Sequence, residues 1–286
     1  MANVQPLERL VVGYQGGPGA FSHIAARRHF DGRAKSLDLV GFKDFSSMLE
    51  ALKSESVDYA LLPIENSIAG SINESYDLLK SMDLYLVGEE IQRVVHCLIA
   101  LEEVDPKSLV RVYSHPVALS QCRRFLATLP VCHAEAYHDT AEAVAHIKAL
   151  GDPAQGAIAS EEAARLHGLP VIVRDIADVP ENYTRMVVVA REPERFPIDV
   201  PCKTSLIFGT KHERGALARC IQVLADRGLN LTKLESRPRL GTPWEYHFYL
   251  DVEGNQADPN VAAALAELAQ VTEELRILGS YPICAN

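Results

Sequence analysis

The stretch REPERFPIDVPCK, residues Arg191 to Lys203, divides this sequence into two parts of different pattern. Three prolines, Pro193, Pro197 and Pro201, stand among charged residues, and the apolar residues show no periodicity. Proline lacks a backbone donor and is disfavoured in helix and strand interiors, so a stretch with three prolines and no apolar periodicity is typical of a linker. We predict a first domain over 8–191, a linker over 192–202 and a second domain over 203–286.

The first part alternates short apolar runs with helical patterns. The apolar runs predict strands at Leu10–Tyr14, Leu37–Phe42, Tyr59–Ile64, Leu84–Val87, Val94–Leu101, Val110–Tyr113, Ala157–Ala159, Val171–Val173 and Met186–Ala190. Helices are predicted at Ala20–Phe30, Phe45–Ser54, Asn73–Lys80, Val117–Ala127, Thr140–Leu150 and Glu161–His167. This alternation is typical of an α/β fold with parallel sheets covered on both faces. So many strands favour two α/β lobes with a ligand cleft at the carboxyl ends of the strands.

The second part has a different order of elements. Strands are predicted at Thr204–Phe208, Leu229–Leu234, Trp244–Val252 and Leu275–Tyr281, and helices at Ala216–Arg227 and Pro259–Ala269. The order βαββαβ is the ferredoxin-like α+β arrangement. A module of this size buries little surface alone and often pairs, so we expect a homodimer or a homotetramer.

Composition excludes several classes of protein. The 286 residues carry a net charge of −10, which argues against a nucleic-acid surface. Residues 1–10 show no signal-peptide pattern, and no apolar run is long enough to span a membrane. The six cysteines form no Cys-x-x-Cys pair and no zinc spacing, so we expect reduced thiols, a cytoplasmic location and no metal.

The tetrad Asn182-Tyr183-Thr184-Arg185 stands where a polar loop meets the strand predicted at Met186–Ala190. A threonine hydroxyl at a rigid strand end can donate a proton to a leaving oxygen if its neighbours position it. Adjacent residues of an extended chain point to opposite faces. Thr184 and Arg185 therefore would not both reach a ligand unless the backbone turns between them. For the tetrad alone, a strand start with a solvated arginine is the alternative.

The glycine-rich turn GYQGGPGAFS, residues 13–22, joins the first predicted strand to its helix. Glycine lets a backbone approach a ligand closely, and a helix N-terminus favours an anion. The turn matches neither G-x-G-x-x-G nor the phosphate-binding G-K-[ST] pattern, so a nucleotide is disfavoured. A tight turn without a ligand is the alternative.

Two other strand ends carry polar side chains. Glu65-Asn66-Ser67 offers a carboxylate, an amide and a hydroxyl to a cleft, although the same residues could simply cap the next helix. At the other strand end we expect Ser114 to cap a helix that has Pro116 in its first position. A Ser-His nucleophile is disfavoured there because adjacent residues cannot easily pair and no G-x-S-x-G motif is present.

In the second part, Gly215-Ala-Leu-Ala218 opens the first helix and Glu235-Ser-Arg-Pro238 closes the second strand. A helix N-terminus suits a carboxylate and an acidic group suits an ammonium, so an amino acid is a natural ligand. A purely structural βαβ unit is the alternative.

Together these segments resemble prephenate dehydratases with a C-terminal ACT regulatory domain. The resemblance covers nearly the whole chain. It rests on six ordered motifs, Gly16–Ser22, Pro63–Ser67, Ser114–Pro116 with Gln121, Asn182–Arg185, Gly215–Ala218 and Glu235–Pro238, followed by Trp244–Tyr246. It implies a two-lobed α/β domain similar to type II periplasmic binding proteins. It also implies conversion of prephenate to phenylpyruvate, water and carbon dioxide without a cofactor, and inhibition by L-phenylalanine.

The resemblance gives individual residues implied roles. Thr184 becomes the leading catalytic residue, and Glu65, Asn66, Ser114, Gln121 and Arg185 are implied beside it. The implied substrate-binding residues are Gly17, Gly19, Ala20, Phe21, Ser22, Ser67, His115 and Asn182, with backbone amides of the glycine-rich turn and near Ser114 holding the two carboxylates. The implied phenylalanine-binding residues are Gly215, Ala216, Leu217, Ala218, Glu235, Ser236, Arg237 and Pro238.

Two stretches depart from the family pattern. Met186 stands where the family usually has Phe, which keeps an apolar packing role but changes the pocket shape. Residues 210–214, TKHER, replace the usual Asn-Glu-Pro before Gly215, which leaves the strength of phenylalanine control open. Two rival functions also stay open: arogenate dehydratase, and a cytoplasmic amino-acid sensor without catalysis.

Overall fold

The computed structural model describes residues 7–239, 241–242 and 244–284. Residues 1–6, 285 and 286, which fall within the stretches interpreted above, lie outside these ranges. Contacts divide the chain into two units. The first unit holds residues 7–70 and 90–186, and the second holds residues 71–89 and 187–284.

The elements follow one another along the chain in a mixed order. The strands are β1 (Leu7–Gln15), β2 (Ala34–Phe42), β3 (Tyr59–Asn66), β4 (Gly70–Ser71), β5 (Tyr85–Arg93), β6 (Cys97–Ala100), β7 (Arg111–Ser114), β8 (His133–Ala136), β9 (Gln155–Ala159), β10 (Val171–Val173), β11 (Tyr183–Ala190), β12 (Cys202–Gly209), β13 (Leu231–Pro238), β14 (Tyr246–Glu253) and β15 (Glu274–Pro282). The α-helices are α1 (Phe21–Phe30), α2 (Phe45–Lys53), α3 (Asn73–Ser81), α4 (Pro116–Gln121), α5 (Arg123–Leu126), α6 (Thr140–Leu150), α7 (Glu161–His167), α8 (Ala216–Asp226) and α9 (Pro259–Val271), with a 3₁₀ turn at Pro106–Ser108.

The strands of the first unit belong to two sheets. The first has the order β2-β1-β3-β11-β5, with β4 paired to β3, and β1 runs parallel to both of its neighbours. Strands β5 and β11 each continue into the second unit. The second sheet has the order β10-β6-β9-β7-β8. Here β7 pairs in parallel, but β6 is antiparallel to β9 and β10, so the expectation of purely parallel sheets is wrong.

Local sequence signals position several helices as predicted. The Asp44 carboxylate accepts the Ser47 amide at 2.8 Å and starts α2. The Asp139 carboxylate accepts the Glu142 amide at 2.9 Å and starts α6, which ends at Gly151 with a φ of 66°. An acceptor at the N-cap and a left-handed glycine at the C-terminus are the usual helix boundaries. The predicted bounds of α6 and α7 are confirmed.

The predicted helix Val117–Ala127 is wrong in two respects. It is divided into α4 and α5 at Cys122, whose φ of −120° departs from helical geometry. The cap is His115, whose Nδ1 accepts the Val117 amide at 3.3 Å. Ser114 cannot cap because it still belongs to β7, is fully buried and donates its hydroxyl to the Ile158 carbonyl at 2.5 Å. Pro116 does occupy the first turn.

The second unit contains the predicted βαββαβ order in a sheet arranged β13-β14-β12-β15. Its antiparallel strands share a core with α8 and α9, which includes Leu206, Phe208, Leu224 and Leu265. Residues 71–89, with α3, belong to this unit as well. Among the described residues, no helix is long and apolar enough to cross a bilayer.

Candidate active site and effector site

Four of the residues proposed from the sequence meet in the first unit. Asn66 ends β3, Gln121 ends α4, and Asn182 directly precedes β11, which carries Thr184. Asn182 is fully buried, Gln121 is buried, and Asn66 and Thr184 are half-buried. A backbone hydrogen bond holds the segment that carries Gln121: the Gln121 carbonyl accepts the Asp178 amide at 2.7 Å.

The orientation of the Asn66 amide is set by the turn that follows it. Its Oδ1 accepts the backbone amides of Ile68 at 3.0 Å and Ala69 at 2.8 Å. Its Nδ2 must therefore point the other way, where it donates to Asn182 Oδ1 at 2.7 Å and to Thr184 Oγ1 at 3.1 Å. Because Thr184 Oγ1 accepts this bond, its own O–H remains able to donate to a further acceptor.

Gln121 continues the same chain of hydrogen bonds. Its Oε1 accepts Asn182 Nδ2 at 2.9 Å, and its Nε2 lies 3.4 Å from Asn66 Oδ1. We call Gln121, Asn182 and Asn66 the amide triad. Each member donates and accepts within the group, so the three side chains hold one another in fixed orientations.

Arg185 and Glu65 occupy the strand positions next to these residues. β11 is continuous from Tyr183, so Thr184 and Arg185 leave it on opposite faces, as the period of an extended strand requires. Glu65 likewise alternates with Asn66 along β3. Ser67 follows, with its hydroxyl accepting the Tyr183 amide at 2.9 Å, and thereby holds the start of β11. The predicted catalytic set is thus distributed over both faces of the strands.

The amides of the glycine-rich turn are not the free donors that the sequence suggested. The Gly17 amide bonds to the buried Asp139 carboxylate, the Gly19 amide donates to His23 Nδ1 at 3.2 Å, and the Ala20 amide donates to the Gly17 carbonyl at 3.0 Å. Burial raises the pKa of Asp139, although the backbone amides of Glu142, Gly17 and Ala141 oppose the rise by bonding to its carboxylate. A substrate carboxylate would have to displace such partners.

The close approach of this turn to neighbouring helices explains why it is rich in glycine. A Cβ on Gly19 would lie 2.5 Å from the Cα of Ala163, and a Cβ on Gly16 would lie 2.5 Å from Asp139 Oδ2. Ser160 Oγ also donates to the Gly19 carbonyl at 2.6 Å. The glycines therefore let the β1–α1 turn pack against the starts of α6 and α7. The remaining predicted substrate residues near it are Phe21, which is half-buried, and Ser22, which is buried.

Sequence reasoning did not identify His96, which adjoins the amide triad. Its Nε2 lies 2.9 Å from Gln121 Oε1, and its ring meets the Phe21 ring edge-on at 5.7 Å between centroids. Burial lowers the pKa of His96, and the bond to Gln121 only partly opposes this. A lone histidine in the apolar run Val94–Leu101 gave no signal, because its partner Gln121 is 25 positions away. His115 is half-buried, and burial lowers its pKa too.

A cavity of about 300 Å³ lies in the second unit at the start of α8. The predicted residues Gly215, Ala216, Leu217 and Ala218 line it. The other lining residues are Thr210, Lys211, His212, Glu213, Trp244, Glu245, Tyr246 and Phe248. Three aromatic side chains and a helix N-terminus offer both apolar surface and an anion site. Trp244, at the rim, is 79% exposed.

The other predicted effector residues are divided between the two faces of β13. Ser236 pairs with Phe248 of β14, and directly opposite residues share a face, so Ser236 faces the side of the cavity. Pro238 pairs with Tyr246 and shares that face. Glu235 and Arg237 alternate with them and bond to residues 71–89, Glu235 accepting from Ser71 Oγ at 2.6 Å. Arg237 donates to Asp77 Oδ2 at 2.7 Å.

Comparisons with known proteins agree with this arrangement. The family model for prephenate dehydratase matches residues 12–194, and that for the ACT domain matches residues 204–270. A bifunctional chorismate mutase/prephenate dehydratase of Enterobacter agglomerans is 38% identical over 275 residues, covering 95% of this chain and 70% of that protein. Arogenate dehydratase 2 of Petunia hybrida is 41% identical over 288 residues, covering 96% and 72%.

Solved structures show the same likeness. A prephenate dehydratase of Arthrobacter aurescens in complex with L-Phe aligns with a TM-score of 0.86 at 28% identity, covering 96% of this chain and 90% of that one. GqqA, described as a novel type of quorum quenching acylase, aligns with a TM-score of 0.87 at 33% identity, covering 96% and 98%. The expected α/β fold followed by an ACT domain is confirmed. The chain belongs to the prephenate dehydratase family.

Proposed function

We propose that this protein is a prephenate dehydratase of L-phenylalanine biosynthesis, converting prephenate to phenylpyruvate, water and carbon dioxide. Membership of the family supports the reaction. The observation that carries the mechanism is the 3.1 Å bond from Asn66 Nδ2 to Thr184 Oγ1. It leaves the hydroxyl proton of Thr184 available to a substrate and supplies a donor for the charge that develops when that proton moves.

The chemistry makes modest demands on the protein. The bond from the ring to its carboxylate breaks, and its electron pair completes the aromatic ring. The ring C–O bond breaks at the same time, and the leaving hydroxide takes a proton from Thr184 to become water. Thr184 regains a proton from solvent. Because aromatisation drives the reaction, the site need only orient the substrate and assist the leaving oxygen.

We assign roles to the predicted residues on this basis. Thr184 is the proton donor, and Asn66, Gln121 and Asn182 position it. Glu65, Ser114 and Arg185 complete the proposed catalytic set; because Arg185 leaves β11 on the face opposite Thr184, its proposed contribution is indirect. Gly17, Gly19, Ala20, Phe21, Ser22, Ser67 and His115 complete the proposed substrate-binding set, with the glycines acting through the packing of their turn.

A competition between prephenate and arogenate tests which of the two is the substrate. Purified protein is incubated with equal prephenate and arogenate, and phenylpyruvate and phenylalanine are quantified. An excess of phenylpyruvate supports the proposal. An excess of phenylalanine transfers the assignment to arogenate, which the 41% identity to a Petunia arogenate dehydratase favours as the alternative. If the folded protein makes neither product, the remaining hypothesis is an amino-acid sensor without catalysis.

An acylase activity is a second candidate because of the likeness to GqqA. Nucleophilic hydrolysis requires a base that removes a proton from the attacking hydroxyl. The Thr184 hydroxyl instead meets an amide N–H of Asn66, which cannot accept a proton. We therefore favour dehydration. Release of a fatty acid from an acyl amide at a rate matching dehydration would contradict this preference.

We further propose that L-phenylalanine binds in the cavity at the start of α8. The carboxylate would meet the amides near Gly215 and Ala216, and the ring would meet Leu217 and the aromatic rim. Ala218, Ser236 and Pro238 complete this proposed site. The L-Phe complex of the Arthrobacter aurescens relative supports an effector of this kind. Glu235 and Arg237 instead couple the ACT sheet to residues 71–89.

Calorimetry tests the effector proposal. Heat of binding with L-phenylalanine, lost in Leu217→Asp and retained in the exposed-site control Gln222→Ala, is expected. No heat and no thermal shift in the wild-type protein would contradict it. Enzyme activity and binding are measured separately, so failure of regulation is distinguishable from failure of catalysis.

The remaining assignments concern organisation. We propose a dehydratase domain over 8–191, a linker over 192–202 and an ACT domain over 203–286. We also propose a homodimer or homotetramer in the cytoplasm, supported by the exposed aromatic rim of Trp244 and Tyr246. Light scattering with and without L-phenylalanine tests the oligomer, and a monomer under both conditions would contradict it. Cell fractionation tests the location.

A further inference from the structure

We infer that His96 is a positioning residue for the dehydration, acting through Gln121 on the hydrogen bond that Asn66 makes to Thr184. This inference rests on the proposed function. His96 is 2% exposed and lies at the end of the amide triad opposite Thr184. Its role follows from the direction in which each hydrogen bond must run.

The direction is set at the turn after β3. Two backbone N–H groups, from Ile68 and Ala69, fix Oδ1 of Asn66 as an acceptor. The Asn66 amide nitrogen must then donate to Asn182 Oδ1, which directs Asn182 Nδ2 to Gln121 Oε1. An oxygen can only accept, so the nitrogen that faces it must carry a proton.

The same oxygen of Gln121 lies 2.9 Å from His96 Nε2. His96 must therefore be the donor, which requires a proton on Nε2. Nδ1 is buried and has no hydrogen-bond partner among the described residues. A second proton there would be an unsatisfied buried donor, so the geometry favours the neutral, singly protonated ring.

This anchoring has a consequence for catalysis. The amide triad is held at one end by the backbone of the turn and at the other by His96. Without His96, Gln121 loses one of the two donors to its Oε1, keeps only the Asn182 donor there, and its side chain is held less firmly. Rotation would disturb Asn182 and then the Asn66 donor at Thr184. Positioning errors of this kind reduce turnover more than substrate binding.

Steady-state kinetics of two His96 variants separates the donor from the ring. His96→Leu fills similar space without a donor, and we expect kcat to fall by about 10- to 100-fold, the scale of one lost buried hydrogen bond, with KM little changed. His96→Gln can place an amide N–H near the Nε2 position, and we expect kcat within about threefold of wild type. Equal losses in both variants would overturn the inference.

A double-mutant cycle tests whether His96 acts through Gln121. In a Gln121→Leu background there is no oxygen for His96 to hold, so His96→Leu should cause no further loss. An undiminished loss in that background would overturn the inference. Ile147→Val, a core change in α6, controls for destabilisation and should lower Tm without lowering kcat.

The tautomer provides a test that does not depend on activity. Nitrogen NMR of the full chain should show His96 protonated on Nε2 and bare on Nδ1 at neutral pH. The opposite tautomer would overturn the inference. A wild-type protein that makes no phenylpyruvate would overturn the proposed function and with it the positioning role, whereas the NMR result would still report on the geometry.

Discussion

The amide triad and the attachment of residues 71–89 use opposite kinds of interaction. Neutral amides hold Thr184 in the first unit, with the buried His96 bonded behind them. In the second unit, the segment 71–89 is held by charged groups. Glu89 meets Lys203 at 3.0 Å, and Asp77 meets Arg237 at 2.7 Å.

The difference shows what each kind of contact can do. A neutral hydrogen bond contributes only about 1 kcal/mol, but it is directional and insensitive to salt. An ion pair is less directional, and its strength depends on burial, because water and salt screen exposed charges. Orientation at the active site therefore depends on amides, and attachment of residues 71–89 depends on charge. Four predictions, from the largest effect to the smallest, test this contrast.

The largest effect is expected from Thr184→Ala. Removing the hydroxyl removes the proton donor, and we expect turnover to fall by about 10²- to 10⁴-fold, the usual range for one positioned acid. Stability should change little because Thr184 is half-buried and its partner Asn66 keeps its other acceptors. The matched control Thr184→Ser retains a hydroxyl and should lose far less. Near-normal turnover in Thr184→Ala would remove this residue from the mechanism.

Next in size is the loss of the buried pair in the second unit. The side chains of Glu89 and Lys203 are only 1% and 12% exposed. Glu89→Gln leaves the lysine charge buried without its partner, and we expect the free energy of unfolding in urea to fall by about 3 kcal/mol. Glu8→Gln removes one member of an exposed pair with Lys35 and is the matched control.

Two outcomes of that experiment bear on the comparison. Recovery of stability in the double variant Glu89→Gln with Lys203→Met would show that the loss comes from the unpaired charge. Equal effects of Glu89→Gln and Glu8→Gln would contradict the argument that burial makes the inner pair important.

A third prediction concerns pH. Burial lowers the pKa of His96 below the ordinary value near 6.5. As pH falls below that value, the unfolded chain binds a proton that the folded chain does not. Stability is therefore complete above about pH 6.5 and declines below it, by at most about 1.4 kcal/mol per pH unit for this residue.

Urea unfolding at pH 7.5, 6.5 and 5.5 measures this decline. His96→Gln lacks the titrating ring, so its stability should fall less steeply than that of the wild type. Burial also lowers the pKa values of His23 and His247, but those groups contribute equally to both proteins and cancel in the difference. Parallel profiles would mean that His96 titrates normally in the folded protein.

The smallest effect is expected at the exposed charged contact. Asp77 is half exposed, so Asp77→Asn should lower the free energy of unfolding by less than about 1 kcal/mol at low salt. The difference from wild type should shrink further in 0.5 M NaCl, because the Debye length is then only about 4 Å. A difference that persists at high salt would show that the contact is not mainly electrostatic.

Local signals account for the parts of the fold that sequence predicted well. α6 and α7 have a capping Asp139 or Ser160 at one end and a left-handed glycine at the other, and their bounds were predicted without error. β8 was not predicted because its four residues, HAEA, are all exposed and form no apolar run. Its strand conformation comes from parallel pairing with β7, which no local pattern records.

For the site, the sequence by itself placed Asn66, Asn182 and Thr184 at strand ends, because strand boundaries follow from local residue types. Gln121 stood inside the predicted helix Val117–Ala127, and only the structure shows that a helix ends there. Only the tertiary structure decided which way each amide points and that His96 completes the chain, since hydrogen-bond direction depends on partners distant in sequence. It also decided that Glu235 and Arg237 face residues 71–89. A one-residue alternation assigns strand neighbours to opposite faces, and the packing of the sheet determines what covers each face.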